Sequence, residues 1–394
     1  MLRRFRTFRI PMMLAAGLLA AAGAMVAVVS ASAEAPPGAD SPTHTLCARR
    51  AQARHADSCS QIGPSAQAIR EREHDAISSM PLPTRSIDPA LSYLPFNYIR
   101  LSSEDPTWLY PTPQDARDGT NAYRALEPGF DFVSWIDCQI VDGKAIFMIE
   151  PGVYVRGGSD CSRIGTSNFH GLQFYRTPQR DFAWVLGGTY TSQQPGPDAP
   201  QTNHWVSRYE LVYILDQQQV GDFVWYRIGP DEWIEQRLVA VVRPDGTKPE
   251  NVEGDRWISI DLYEQTLSVY DQGELVYATL VSTGLRGWWT QPGTFQVYAK
   301  LESDTMSGAF EADRSDYYYL EDVPWTLYYD QARAIHGAYW HNGFGYPRSH
   351  GCVNLSPTDA KWIFQWAQEG TWVHVYDPSG ETPTDEELYG AGGA

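Results

Sequence analysis

Between residues 91 and 300 the chain alternates short apolar segments with turn signals at Asp142-Gly143, Pro151-Gly152, Pro230-Asp231 and Asp271-Gln272-Gly273. Segments this short cannot carry a continuous helical stripe, but they suit strands joined by tight turns. The 14 Trp and 23 Tyr point the same way, since aromatic side chains fill pleated, half-buried surfaces. A helix signature comes only at Ser356-Pro357-Thr358-Asp359, with a capping Ser, Pro at the first helical position and an acid three residues after the cap. Trp362, Ile363, Trp366 and Ala367 give that helix an apolar face before Gly370 ends it. The expected fold class is mainly β, with one helix late in the chain. A net charge of −18 excludes nucleic acid as a partner, because phosphate binding needs clustered Lys and Arg.

Arg3, Arg4, Arg6 and Arg9 precede the apolar run Met12 to Val29, and Ala31-Ser32-Ala33 follows as a small-residue cleavage site. Residues 1–33 therefore read as a signal peptide, with an uncleaved membrane anchor as the alternative. Either way the remainder is exported. Residues 34–90, rich in Ala, Pro and Ser, read as a linker with a short polar helix at Gln67 to Ala76. Five cysteines make an odd number for an exported chain. Cys138 and Cys161 fall in one β unit at a spacing that suits a strand-to-strand disulfide, and Cys47–Cys59 is the second expected pairing. Four cysteines alone allow three connectivities. Cys352 is left over, and a free thiol in an oxidising place invites a chemical explanation.

The middle of the chain repeats. Val133 to Val141 aligns without gaps on Val212 to Val220, and the same offset of 79 places Ile149 on Ile228, Pro151 on Pro230 and Tyr154 on Trp233. The ending Trp225 to Ile234 resembles the last strands of bacterial SH3-like domains. Residues 91–170 and 171–250 are thus expected to be two small SH3-like β-barrels, the first the more divergent.

The chemistry lies further on, where His336-Gly337 is followed by Ser349-His350-Gly351-Cys352-Val353-Asn354. A thiolate attacks carbonyl carbon, so a nucleophilic Cys needs a base within reach. His350, two residues from the Cys, can point its ring away; His336, on a separate strand end, can face Cys352 across a cleft. Gly351 lets a substrate approach the backbone, whose N–H groups can hold an oxyanion. A zinc set of His336, His341, His350 and Cys352 matches no standard spacing, so no metal is expected. Papain-like wall peptidases place Cys before His, the reverse of the order here. His341 and His374 read as structural or surface groups.

These residues, with Trp257-Ile-Ser-Ile-Asp261-Leu262 and Thr290-Gln-Pro-Gly293-Thr-Phe295, resemble the L,D-transpeptidases, the YkuD-type catalytic domain, over about residues 255–377. The resemblance implies a β-rich catalytic domain at 251–378, with its helix after Cys352, and a flexible tail at 379–394. It implies no cofactor, a peptidoglycan tetrapeptide as acyl donor and an amine as acceptor. Cys352 is then the nucleophile that attacks the stem carbonyl at position three and releases D-Ala, and His336 is general base and acid. His350 and Ser349 organise the loop with Gly351, while Gly337 orients His336 through its backbone. Asn354 stands where relatives carry Arg or Asn, and Trp340, Tyr319 and Met306 are expected to line the donor groove. Transfer to a second stem gives a 3-3 cross-link. Water as acceptor makes an L,D-carboxypeptidase, a wall-protein nucleophile makes an anchoring enzyme, and a decayed site makes a wall-binding protein. The expected enzyme is a monomer whose SH3-like units bind or space wall polymer, touching membrane only through an uncleaved N-terminus.

Overall fold

The computed structural model describes residues 45–46, 59–60, 81–309, 314, 316–385 and 388–389. The signal segment, Cys47 with its expected pairing to Cys59, and the helix expected at Gln67 to Ala76 lie outside those residues. In the first of two compact units, Thr45–Leu46 pairs in parallel with Cys59–Ser60. The second unit runs from Glu73 onward and is mainly β with few helices. Among the described residues no helix is long and apolar enough to cross a membrane.

The sequence repeat is a backbone repeat. Asp137–Val141, Lys144–Glu150 and Val153–Arg156 form an antiparallel meander, and Asp216–Val220, Phe223–Gly229 and Glu232–Glu235 form its counterpart 79 positions later. The first hairpin turns through Asp142 and Gly143, both at positive φ, the conformation that matches the twist of paired strands. Cys138 and Cys161 are joined as expected, with Cα atoms 5.8 Å apart.

Among the described residues neither meander closes into a barrel. The first remains a three-stranded sheet; the second is widened by Thr189–Ser192 and Gln201–Val206 into an open five-stranded sheet. The reason is that neighbouring strands are used elsewhere. Leu172–Phe174 pairs with Glu274–Leu280 and Thr84–Arg85, extending a seven-stranded sheet of the C-terminal half. Phe130–Trp135 (β1) lies between Asn97–Arg100 and Tyr318–Asp330 (β2) in a six-stranded sheet. Arg333–Gly337 (β3), Val353–Leu355 (β4) and Ala299–Gly308, which pairs with β2, complete that sheet, and Pro357–Trp366 (α1) packs against β2 and β3. Backbone pairing therefore bridges the boundary expected at residue 250.

Between the sheets and α1 sits a core that includes Ile258, Leu267, Val269, Leu327, Ile335, Val353, Ile363 and Val373, all fully buried. The first turn of α1 is fixed at both ends of a short polar network. Ser356 Oγ accepts from the Asp359 N–H (3.2 Å), and the buried Asp359 carboxylate accepts from Tyr277 Oη (2.6 Å), Thr279 Oγ1 (2.5 Å) and the Gly171 N–H (2.7 Å). Burial raises the carboxyl pKa, and these donors oppose it by taking over the role of water. Gly171, in the middle of the chain, thereby holds the helix that follows Cys352.

A chain beginning at Asn251 would lose β1, the Leu172–Phe174 strand and the Gly171 donor. It should yield no cooperatively melting monomer, measured by size exclusion and near-ultraviolet circular dichroism. A soluble monomer melting within a few degrees of the full chain would contradict this interdependence.

Candidate active site

β3 and β4 run parallel, with Ile335 opposite Val353 and His336 opposite Asn354. Strand alternation then sorts the side chains. Ile335, Val353 and Leu355 enter the core, while His336 and Asn354 line a cleft of about 780 Å³ together with Cys352, which precedes β4. Met306 and Trp340, expected in the groove, line it, and so do Ser349 and His350. His336 is only 2% exposed and Cys352 5%.

The turn that presents Cys352 is held by its own side chains. Ser349 Oγ donates to the Cys352 carbonyl (2.5 Å) and accepts from the Gly351 N–H (3.1 Å), so that N–H is taken and cannot serve an oxyanion. Gly351 has φ +120°, where a Cβ is strained, and its carbonyl accepts from Thr290 Oγ1 (2.8 Å). Reciprocal backbone bonds of 2.9 Å between Ser282 and Asn354 fasten β4 to the neighbouring segment. Gly337 has no room for a side chain: a Cβ would meet Pro324 Cγ at 3.1 Å and Pro357 Cα at 3.2 Å. The His350 ring stands between Trp288 and Tyr318, at 4.2 and 5.0 Å, with Nε2 3.9 Å from Asp316 Oδ2.

Burial dominates the electrostatics. It pushes the Cys352 thiol up to about 11, against weaker help to the thiolate from the Ala334 N–H and the Arg333 charge. Burial likewise pulls His336 down to about 4, opposed by the adjacent Gly337 carbonyl. At neutral pH the two groups therefore stand as thiol and neutral imidazole, not as the ion pair usual for activated thiols.

Two expectations are corrected. Tyr319 does not line the Cys352 cleft; it lines a separate pocket of about 530 Å³ on the other face of β2, with Asp131 and Glu321. Its neighbour Tyr318 faces Cys352, since adjacent residues on a strand point oppositely. The tail at 379–394 is also not simply flexible, because Tyr389 is buried and its carbonyl accepts from Arg333 (2.5 Å), whose guanidinium lies 5.2 Å from the Tyr389 ring centroid. Sequence reasoning missed Phe130, Trp288, Asp316 and Arg348, which also line the cleft. Of these only Arg348, beside Ser349, had a local cue. The four groups of the considered zinc set, His336, His341, His350 and Cys352, all line this cleft, but no metal-holding group of three occurs among the described residues, and His341 is engaged by Gly343 and Asn354.

A profile of the L,D-transpeptidase catalytic domain (YkuD) matches residues 255–375, the span that contains this cleft. L,D-transpeptidase 1 of Mycobacterium tuberculosis is 30% identical over 193 residues, which covers 45% of this chain and 74% of that protein. The chain belongs to the L,D-transpeptidase family. It is accordingly a cysteine-dependent transpeptidase of the peptidoglycan cross-linking class. Solved L,D-transpeptidase structures are similar as well. The catalytic domain from E. faecium is 28% identical, covering 32% of this chain and 99% of that one, with a TM-score of 0.28. The Stackebrandtia nassauensis L,D-transpeptidase is 26% identical, covering 35% and 61%, with a TM-score of 0.27.

A neutral resting pair has an optical consequence. Thiolate absorbance, taken as wild type minus Cys352→Ala, should stay flat between about pH 5 and about pH 9, because His336 is neutral above about 4 and the thiol ionises near 11. A step in that window would contradict the assignment.

Proposed function

We propose that Cys352 is the nucleophile and His336 the proton carrier of a transfer that joins peptidoglycan stems outside the cytoplasm. The supporting observation is that adjacent parallel strands bring both side chains to one cleft in a chain of this family. The Cys352 proton passes to His336 as Sγ bonds to the carbonyl carbon at stem position three. The Cys352 backbone N–H, which makes no backbone hydrogen bond among the described residues, is the donor left for the oxyanion. Collapse of the tetrahedral adduct breaks the C–N bond, and His336 returns its proton to the leaving D-Ala amine. A side-chain amine of a second stem then attacks the thioester, gives its proton to His336 and frees Cys352, leaving a 3-3 cross-link. A low His336 pKa suits this cycle, because the base form is available across the neutral range.

Around this centre Ser349, Gly351 and Gly337 hold geometry, and His350 supports the loop. Trp340, Met306 and Tyr318 form walls for the donor peptide. The repeated meanders support reading 91–170 and 171–250 as divergent SH3-like units that carry the cleft to wall polymer. The Arg-rich apolar N-terminus supports export of the enzyme with residues 1–33 removed.

Incubation with a tetrapeptide stem and mass spectrometry of the products tests the reading. Release of D-Ala with formation of a dimer one D-Ala lighter than two stems is expected. Loss of D-Ala without dimer would make the enzyme a carboxypeptidase, and an unchanged substrate would contradict catalysis. Cys352→Ala should abolish turnover, and His336→Ala should slow acylation by roughly two to four orders of magnitude.

A further inference from the structure

His341 takes no part in the proton transfers above, yet it lines the same cleft as Cys352. Its two ring nitrogens have different neighbours. Nδ1 accepts from the Gly343 N–H at 3.1 Å, and Nε2 lies 3.1 Å from Nδ2 of the Asn354 carboxamide. The ring is neutral: burial pulls its pKa down to about 3, and the positive charge of Arg348 adds to the effect.

A neutral imidazole has one N–H and one lone pair. The backbone N–H of Gly343 can only donate, so Nδ1 must carry the lone pair and Nε2 the proton. That proton needs an acceptor, but the facing group is the carboxamide nitrogen, also a donor. At the same time Asn354 Oδ1 is buried without a hydrogen-bond partner. Two faults with one cause mark an amide turned half a revolution from its satisfied orientation, since oxygen and nitrogen differ little in shape. Turning it removes the donor–donor clash and leaves the two N–H groups, in place of the unpartnered oxygen, for a ligand to satisfy. Oδ1 then accepts from His341 Nε2–H, and the N–H₂ group takes the place where Oδ1 met no protein partner.

The backbone of Asn354 is already consumed by its two bonds to Ser282. Its carboxamide is therefore the part available to a ligand, on the face it shares with His336. We propose that His341 is a positioning residue that locks the Asn354 carboxamide with its N–H₂ toward the acyl donor, where it binds a carbonyl or carboxylate oxygen of the stem peptide. This rests on the transpeptidase reading for the identity of the ligand, but the tautomer and the amide orientation do not.

The test compares wild type, His341→Gln, His341→Leu and Asn354→Asp for acylation by a tetrapeptide stem, with thermal melts to confirm folding. A Gln side chain can put an N–H where Nε2–H was, so His341→Gln should stay within about threefold of wild type in kcat/KM. His341→Leu frees the carboxamide to rotate and should lose roughly tenfold, seen mainly in KM, the value of one oriented hydrogen bond. Asn354→Asp keeps an acceptor for His341 but has no N–H₂, and should lose at least as much. Nitrogen-15 NMR of the wild-type side chain should find His341 protonated at Nε2. Wild-type kinetics in His341→Leu, or a proton on Nδ1, would overturn the proposal. Should His341→Leu fail to fold, the tautomer in wild type still decides. A wild type that never acylates would instead overturn the transpeptidase reading, and the NMR result would separate that failure from this one.

Discussion

The parallel pairing of β3 with β4 is the constraint on which the site depends. It sets His336 level with Asn354 and places Cys352 one step before the strand begins. A one-residue slip would turn every side chain on the moved strand to the opposite face, exchanging Asn354 for Val353 in the cleft. The register is protected from both sides. Ile335 and Val353 are fully buried in the core, and Ser282, Thr283 and Thr290 bond the turn around Cys352 to the adjacent segment. Gly337 and Gly351 are required by space and by backbone conformation respectively, which explains why each stands directly beside a chemistry-bearing residue.

Burial that secures this geometry also decides the protonation states. Desolvation raises the thiol and lowers the imidazole, so the resting pair is neutral and holds no buried ion pair that would need compensation. The N-terminal units take part in the same construction: β1 borders β2, Phe130 reaches the cleft, and Gly171 anchors α1 through Asp359. These units are extensions of the catalytic sheets as well as units in their own right.

What the sequence could reveal follows the range of each interaction. The Ser349 to Asn354 motif is local, so the turn around Cys352 was legible, and so was α1 from its Ser356 cap. The meander repeat was legible because a hairpin is encoded by its own turn. Sheet membership was not, since nothing in the period of Phe130 to Trp135 says that its partner lies near residue 320. The choice of Tyr319 over Tyr318 failed for a related reason. β2 contains register shifts and positive φ at Asp322 and Trp325, so facing cannot be counted along it from a distant residue. Tyr389 was read as tail because its anchor, Arg333, lies far back in the chain.

The central claim is that burial keeps the Cys352 thiol and the His336 imidazole, which line one cleft, both neutral at rest. The direct measurement is an NMR titration of the His336 ring in the resting enzyme and in Cys352→Ala. The account requires His336 to stay neutral down to about pH 4 in both proteins, with little change when the thiol is removed. An imidazolium at neutral pH that disappears in Cys352→Ala would contradict it, because only a thiolate partner could hold that charge.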